Sequence, residues 1–256
     1  MRSRLLAGVP ALLLLASLTA CGDDDTKASD DTSPTEATSE SDPTSDPTSP
    51  AATETSGAGT PCAWEVAGAP ARDVKPPAAT SPYKGQVPAV LKTSVGDLTL
   101  ILDADKAPCT VASFASLAEQ GYYDNTSCHR QGNDPGFEFL QCGDPFFDPK
   151  AATPDSQTGS SSPGYTIPDE VDGTETYPAG TLAMANTGAP NSGGGQFFIV
   201  FGDSSFPPSY TVWGKLDDAS LKTLLKATAS GNDGFWADSG GGRPNTPVTF
   251  QSIKVG

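Results

Sequence analysis

The chain holds one histidine, two methionines and three tryptophans in 256 residues, and only 15 Lys and Arg against 31 Asp and Glu. A single histidine excludes sites that need two, which removes most His-rich zinc and copper centres. A formal net charge of −16 leaves no basic footprint for phosphates, so a nucleic-acid partner is excluded on electrostatic grounds. At 36% hydrophobic residues, the chain carries too little apolar surface to be packed along its whole length. Gly193-Gly194-Gly195 lacks the following Gly-Lys-Ser/Thr of a phosphate loop and reads as a tight turn before Gln196.

What is present begins with an export signal. Arg2 and Arg4 precede an apolar stretch from Leu5 to Leu18, shorter than the roughly 20 residues of a membrane-spanning helix. It ends in Leu18-Thr19-Ala20-Cys21, which resembles the lipobox of bacterial lipoproteins. The resemblance implies that residues 1–20 are a cleaved signal peptide and that Cys21 carries acyl chains. These would hold the protein at the extracytoplasmic face of the cell membrane. Residues 21–60 follow as an acidic Ser/Thr/Pro tether, with ten acids and one base, Lys27, and too little apolar content for a core.

Four cysteines remain: Cys62, Cys109, Cys128 and Cys142. An even number in an exported chain favours two disulfides, with three possible pairings, over a metal site, because no C-x-x-C pair occurs. Cys128 and Cys142 flank two strand-like runs joined by a Gly/Pro/Asn/Asp turn, so they are placed to meet across a hairpin. Cys62 and Cys109 are what remain, tying an extension, 61–84, to the first helix.

From residue 85 the chain reads as one β-rich domain ending at 256. Ala89–Ser94 and Leu98–Asp103 form a hairpin around Val95-Gly96-Asp97. Pro108 opens a helix that Gly121 stops, with Val111, Phe114, Ala115, Leu117 and Ala118 on its apolar face. A second helix spans Asp217 to Ala229, with Asp218 as its cap and Leu221, Leu224 and Leu225 on one face. Short apolar runs lie at 128–131, 137–141, 165–168, 181–185, 196–201, 210–214 and 248–255. Many short strands with two helices predict a closed antiparallel barrel, its open ends covered by the helices.

Within this domain the succession Cys128-His129-Arg130, Leu140-Gln141-Cys142-Gly143-Asp144, Gly180-Thr181-Leu182-Ala183-Met184-Ala185-Asn186, Asn191, Gln196-Phe197-Phe198-Ile199 and Thr211-Val212-Trp213-Gly214 resembles the cyclophilin-type peptidyl-prolyl cis/trans isomerases. The resemblance covers residues 85–256. It implies a mainly β fold, a closed eight-stranded antiparallel barrel capped by two α-helices, with an open groove on its outer face. It also implies a reaction without cofactor or metal. The partners would be proline-containing polypeptide segments, with the membrane reached through the lipid and the protein a monomer. An X-Pro bond is held by amide resonance worth roughly 18–20 kcal/mol of barrier, and a guanidinium near the twisted amide would stabilise a localised nitrogen lone pair. By resemblance Arg130 is that group, with Gln141 and Gln196 orienting it and the substrate backbone. Ala185 and Asn186 match the strand that holds the substrate main chain. Phe198 matches the pocket floor, and Phe139, Phe206 and Tyr210 match its walls.

Several positions depart from the family pattern. Counting back from Gln141 puts Glu138 where a pocket phenylalanine is usual; either Phe137 substitutes for it, or a carboxylate lines the pocket and weakens proline binding. Phe206 replaces the tryptophan, and Tyr210 the histidine, of cyclosporin-sensitive members, which implies low sensitivity to that drug. His129 has no nucleophile arranged beside it and reads as a packed histidine behind Arg130. Asp169 and Glu170 read as structural acids. Two functions are compatible with this set: a tethered isomerase for exported proteins, or a peptide-binding lipoprotein that keeps the groove without turnover.

Overall fold

The computed structural model describes residues 59–256; the expected leader, Cys21 and all but the end of the tether lie outside them. The extension carries three two-residue strands, β1 (Thr60–Pro61), β2 (Glu65–Val66) and β3 (Thr80–Ser81). The domain continues with β4 (Gln86–Thr93), β5 (Leu98–Asp103), α1 (Pro108–Glu119), β6 (Arg130–Asp134) and β7 (Phe137–Cys142). Then come β8 (Tyr165–Thr166), β9 (Thr181–Met184), β10 (Phe197–Val200), β11 (Val212–Leu216), α2 (Asp218–Thr228) and β12 (Phe250–Val255).

Alternation drives the sheet. In β4, Val87, Ala89, Leu91 and Thr93 point inward, opposite Leu98, Leu100 and Leu102 of β5. The eight long strands are all antiparallel, in the order β12-β4-β5-β11-β9-β10-β7-β6. Their inner faces enclose a core around Trp213, Phe114, Phe197, Phe250 and Tyr123, all fully buried.

The expected closed barrel is corrected here, because β12 and β6 end the ladder without pairing to each other. They approach only just before β6. There Asn125 N–H donates to Phe250 O (2.8 Å), Phe250 N–H to Thr126 O (2.8 Å) and Cys128 N–H to Val248 O (2.9 Å). At Gln131 the free edge of β6 is taken by Gly242, through Gln131 N–H to Gly242 O at 2.8 Å and the return bond at 3.0 Å. At that position the edge has no donor left for β12.

The helices start in different ways. Asp217, not Asp218, caps α2, its Oδ1 accepting the Ser220 N–H at 2.7 Å. Leu224 is buried and Leu221 packs against the core, but Leu225 is 44% exposed, because the buried stripe runs through Ser220, Leu224 and Ala227. α1 begins at Pro108 after Ala107, which has no capping side chain. Its first free N–H groups are met from a distance by the Glu170 carboxylate, which accepts from Cys109 and Thr110, each at 2.8 Å. Asp169 is structural too, exchanging bonds with Asn191: its N–H donates to Asn191 Oδ1 at 2.8 Å, and Asn191 N–H donates to its Oδ2 at 2.7 Å.

Two disulfides join Cys62 to Cys109 and Cys128 to Cys142, the pairing the hairpin argument predicts. The first fastens the extension to α1, where Arg72 also donates to the carbonyls of Gly121 and Asp124. The second brackets the start of β6 and the end of β7. Between Cys128 and Arg130, His129 is buried, with Phe147 and Trp236 edge-on at 6.2 and 6.4 Å. Burial lowers its pKa to about 4, with Asp144 opposing the shift and Arg130 adding to it.

Two outcomes follow. Glu170→Ala removes the partner of two helix N–H groups and is expected to cost about 1–3 kcal/mol in urea unfolding. Stability should also fall as pH drops from about 6.5 to about 4, because the unfolded chain takes a proton that folded His129 refuses. Equilibrium unfolding across that window should show the slope in the wild type and lose it in His129→Phe. Asp217 and Asp233, whose carboxyls are held below their ordinary value, act only at lower pH.

Candidate active site

Strand register builds the site. Arg130 pairs with Gln141 across β6 and β7, Gln141 with Phe198 across β7 and β10, and Phe198 with Ala183 across β10 and β9. These four residues therefore form one row on the outer face of the sheet, while Leu140, Phe197, Ile199 and Leu182 point into the core. A second apolar cluster covers the outer face, with Phe139, Tyr177, Ala183, Phe198 and Val200 buried and Phe137, Phe206 and Tyr210 packed over them.

Above this cluster lies a cavity of about 300 Å³. Its walls are Phe137, Phe139, Phe198, Phe206 and Tyr210, and its polar rim is Arg130, Gln141, Asn186 and Ser239. Phe206 is the central ring, with its centroid 5.3 Å from Phe198, 5.5 Å from Phe137, 5.7 Å from Phe139 and 6.0 Å from Tyr210. Edge-to-face packing of this kind holds each ring in place. Every expected pocket residue thus comes together here or on the rim, except Gln196, which lines an adjoining cavity with Gln141, Ala185 and Asn186.

Of the two readings left open at Glu138, the structure takes the first. Phe137, Phe139 and Gln141 share a face of β7, and Phe137 lines the cavity. Glu138 points the other way, its carboxyl filling the space beside Gly202.

Arg130 is half-buried. Its Nε donates to Gly240 O at 3.0 Å and its Nη2 to Ser239 O, and its Cζ lies 5.2 Å from the Phe139 centroid and 5.7 Å from that of Phe137. Burial lowers its pKa from the ordinary arginine value, a shift the nearby Tyr210 opposes, yet a guanidinium remains charged in a protein. Among the described residues the ion pairs are Lys106 with Glu175 and Arg243 with Asp233, so no carboxylate neutralises Arg130.

The glutamines act differently from the expectation that they orient the arginine. Gln141 Nε2 donates to Gln196 Oε1 at 3.1 Å, and Gln196 Nε2 donates to Gly159 O at 2.9 Å and Ser161 O at 3.2 Å. The pair anchors the 159–161 loop beside the groove, while backbone carbonyls hold the arginine. Asn186 Nδ2 donates to Ser209 O at 2.9 Å and fixes the loop that carries Tyr210. Sequence reasoning missed Tyr177, whose hydroxyl donates to Pro207 O at 3.0 Å and accepts from Tyr210 N–H at 3.1 Å. It also missed the carbonyls of Ser239 and Gly240, since backbone groups leave no mark in a sequence.

The arrangement presents a cation, unneutralised among the described residues, beside an aromatic-walled cavity. Comparison with known proteins agrees with it. Residues 89–255 match the family described as cyclophilin type peptidyl-prolyl cis-trans isomerase/CLD. The "Probable peptidyl-prolyl cis-trans isomerase B" of Mycobacterium leprae is 40% identical over 203 residues, 72% of this chain and 63% of that protein. Its namesake from Mycobacterium tuberculosis is 39% identical over 182 residues, 66% of this chain and 54% of that one. The chain therefore spans less than two thirds of the length of these curated relatives. A crystal structure of a cyclophilin type peptidyl-prolyl cis-trans isomerase from Cryptosporidium parvum superposes with a TM-score of 0.52 at 28% identity, covering 67% of this chain and 98% of that one. A family match running from β4 to the end of β12, on a sheet and two helices of the same fold, makes this chain a member of the cyclophilin-type peptidyl-prolyl cis-trans isomerases.

Proposed function

We propose that the protein catalyses cis/trans isomerisation of X-Pro bonds in exported or cell-surface polypeptides, working from the extracytoplasmic membrane face to which lipid on Cys21 tethers it. The observation that carries the reading is Arg130, a half-buried guanidinium with no carboxylate partner among the described residues, set on the rim of an aromatic cavity of about 300 Å³. The address is supported by the apolar leader ending in Leu18-Thr19-Ala20-Cys21 and by two disulfides, which persist in oxidising compartments.

The geometry supports the following course for the reaction. The proline ring enters the cavity over Phe198 and Phe206 and is held there while the acyl side rotates. As the amide twists, its nitrogen loses conjugation, and Arg130 stabilises the localised lone pair. Because that charge exists only in the twisted state, the interaction lowers the barrier more than it tightens binding. No proton moves, so turnover by folded enzyme should not depend on His129.

The test is the cis/trans exchange rate of an Ala-Pro peptide under non-reducing conditions. Wild type should accelerate it, and Arg130→Ala should lose roughly 10²-fold in kcat/KM, with Arg130→Lys retaining part because it keeps charge without the planar fork. A folded wild type without acceleration would leave a peptide-binding module instead. Cyclosporin inhibition supplies a second measurement. Phe206 offers no ring N–H, so wild type should be weakly inhibited, and Phe206→Trp should be inhibited at lower drug concentration.

A further inference from the structure

Arg130 is aimed by a segment distant in sequence. The carbonyls of Ser239 and Gly240 that hold it belong to the stretch 233–243, folded as a closed loop on the free edge of β6. At its tip, Gly240 and Gly241 adopt φ of +83° and +84°. A Cβ on Gly240 would lie 2.7 Å from the Phe137 ring, and one on Gly241 would lie 2.2 Å from Gln131 O. The loop backbone thus sits directly on the pocket and on β6, with no slack between its conformation and the arginine's direction.

That conformation is set at the neck. Asp233 and Arg243 face each other, with Asp233 N–H donating to Arg243 O at 3.1 Å and Arg243 N–H donating to Asp233 Oδ1 at 2.8 Å. Arg243 Nε closes the pair on Asp233 Oδ2 at 2.5 Å. Asp233 Oδ1 also accepts the Phe235 N–H at 3.0 Å, starting the turn. Arg243 lies 5.8 Å over the Phe235 ring and donates from Nη1 to Ala151 O at 2.9 Å, so the neck is fixed to the body of the domain. Neither side chain lines the proline cavity.

We propose that Asp233, paired with Arg243, is a positioning residue for Arg130: the pair sets the loop whose two carbonyls aim the guanidinium, and it supplies through backbone what a carboxylate beside Arg130 would supply only by neutralising it. The proposal rests on the isomerase reading, in which the direction of Arg130 decides the rate.

The test uses the full chain under non-reducing conditions. In Asp233→Asn, kcat for the Ala-Pro peptide should fall at least about tenfold, since small misplacements of a catalytic group are costly. KM should change less than about twofold, because the aromatic walls are untouched. Arg243→Ala should behave alike and Arg243→Lys should recover part. In an Arg130→Ala background Asp233→Asn should add no loss. A second readout needs no turnover: the Arg130 Nε–H resonance should be protected from exchange in wild type by its bond to Gly240 O, and lose that protection in Asp233→Asn. Wild-type kcat in Asp233→Asn, or an equal loss in the Arg130→Ala background, overturns the proposal. If wild type shows no acceleration, the isomerase reading fails, and the resonance still decides the loop's role: protection kept in the variant overturns it, and protection lost supports it. Should Asp233→Asn unfold, Arg243→Lys carries the same measurements.

Discussion

A guanidinium half-buried among aromatic rings gives up hydration, and in most folds a carboxylate would replace the lost water. At Arg130 that solution would cancel the charge the site presents. Two carbonyl oxygens take its Nε and Nη2 instead, and the faces of Phe137 and Phe139 take its plane, so the group is held while its full charge remains. Much of the site's construction answers to this constraint. Carbonyls can serve only if the backbone bearing them is stiff, which brings in the two left-handed glycines, the packing against β6 and the neck between Asp233 and Arg243.

The same strands that carry the site also carry the core. In β10 all four residues are buried, Phe197 and Ile199 inward and Phe198 and Val200 outward. β9 is likewise buried on both faces. A sheet with apolar contacts on both sides is more rigid than one facing water, and each fully buried large side chain contributes about 1.5–3 kcal/mol. The cavity floor is therefore part of a second core, and its shape is maintained by folding energy without help from substrate.

Much of this was legible beforehand, for physical reasons that differ by residue. Strand-like runs on either side of Val95-Gly96-Asp97 placed the hairpin of β4 and β5. Pro108 marked the start of α1, and the turn between Cys128 and Cys142 announced their bond. Which of Phe137 and Glu138 faces the pocket stayed open until the register of β7 was known, since residues two apart share a face. Most of what stayed hidden depended on contacts distant in sequence, the cap of α2 being the local exception. Two adjacent acids, Asp217 and Asp218, offered equal capping chemistry, and only the approach of Ser220 selected the first. The open ladder depends on Gly242 occupying the edge of β6, and the hold on Arg130 depends on carbonyls more than a hundred residues away. Backbone groups are the same at every position and carry no signature.

The Cys62–Cys109 bond also has a mechanical meaning. Tension entering the domain from its N-terminal side peels the short β1–β3 pair first and then meets a covalent stop at Cys62. The load passes into α1, whose first turn is held by Glu170, and from there into β12, against which α1 packs. β6 and β7 lie at the other end of the ladder, and β12 reaches them through the bonds of residues 125–128. A domain pulled from its N-terminus would thus take the force at the disulfide and α1 before it reached the strands that carry the aromatic cavity.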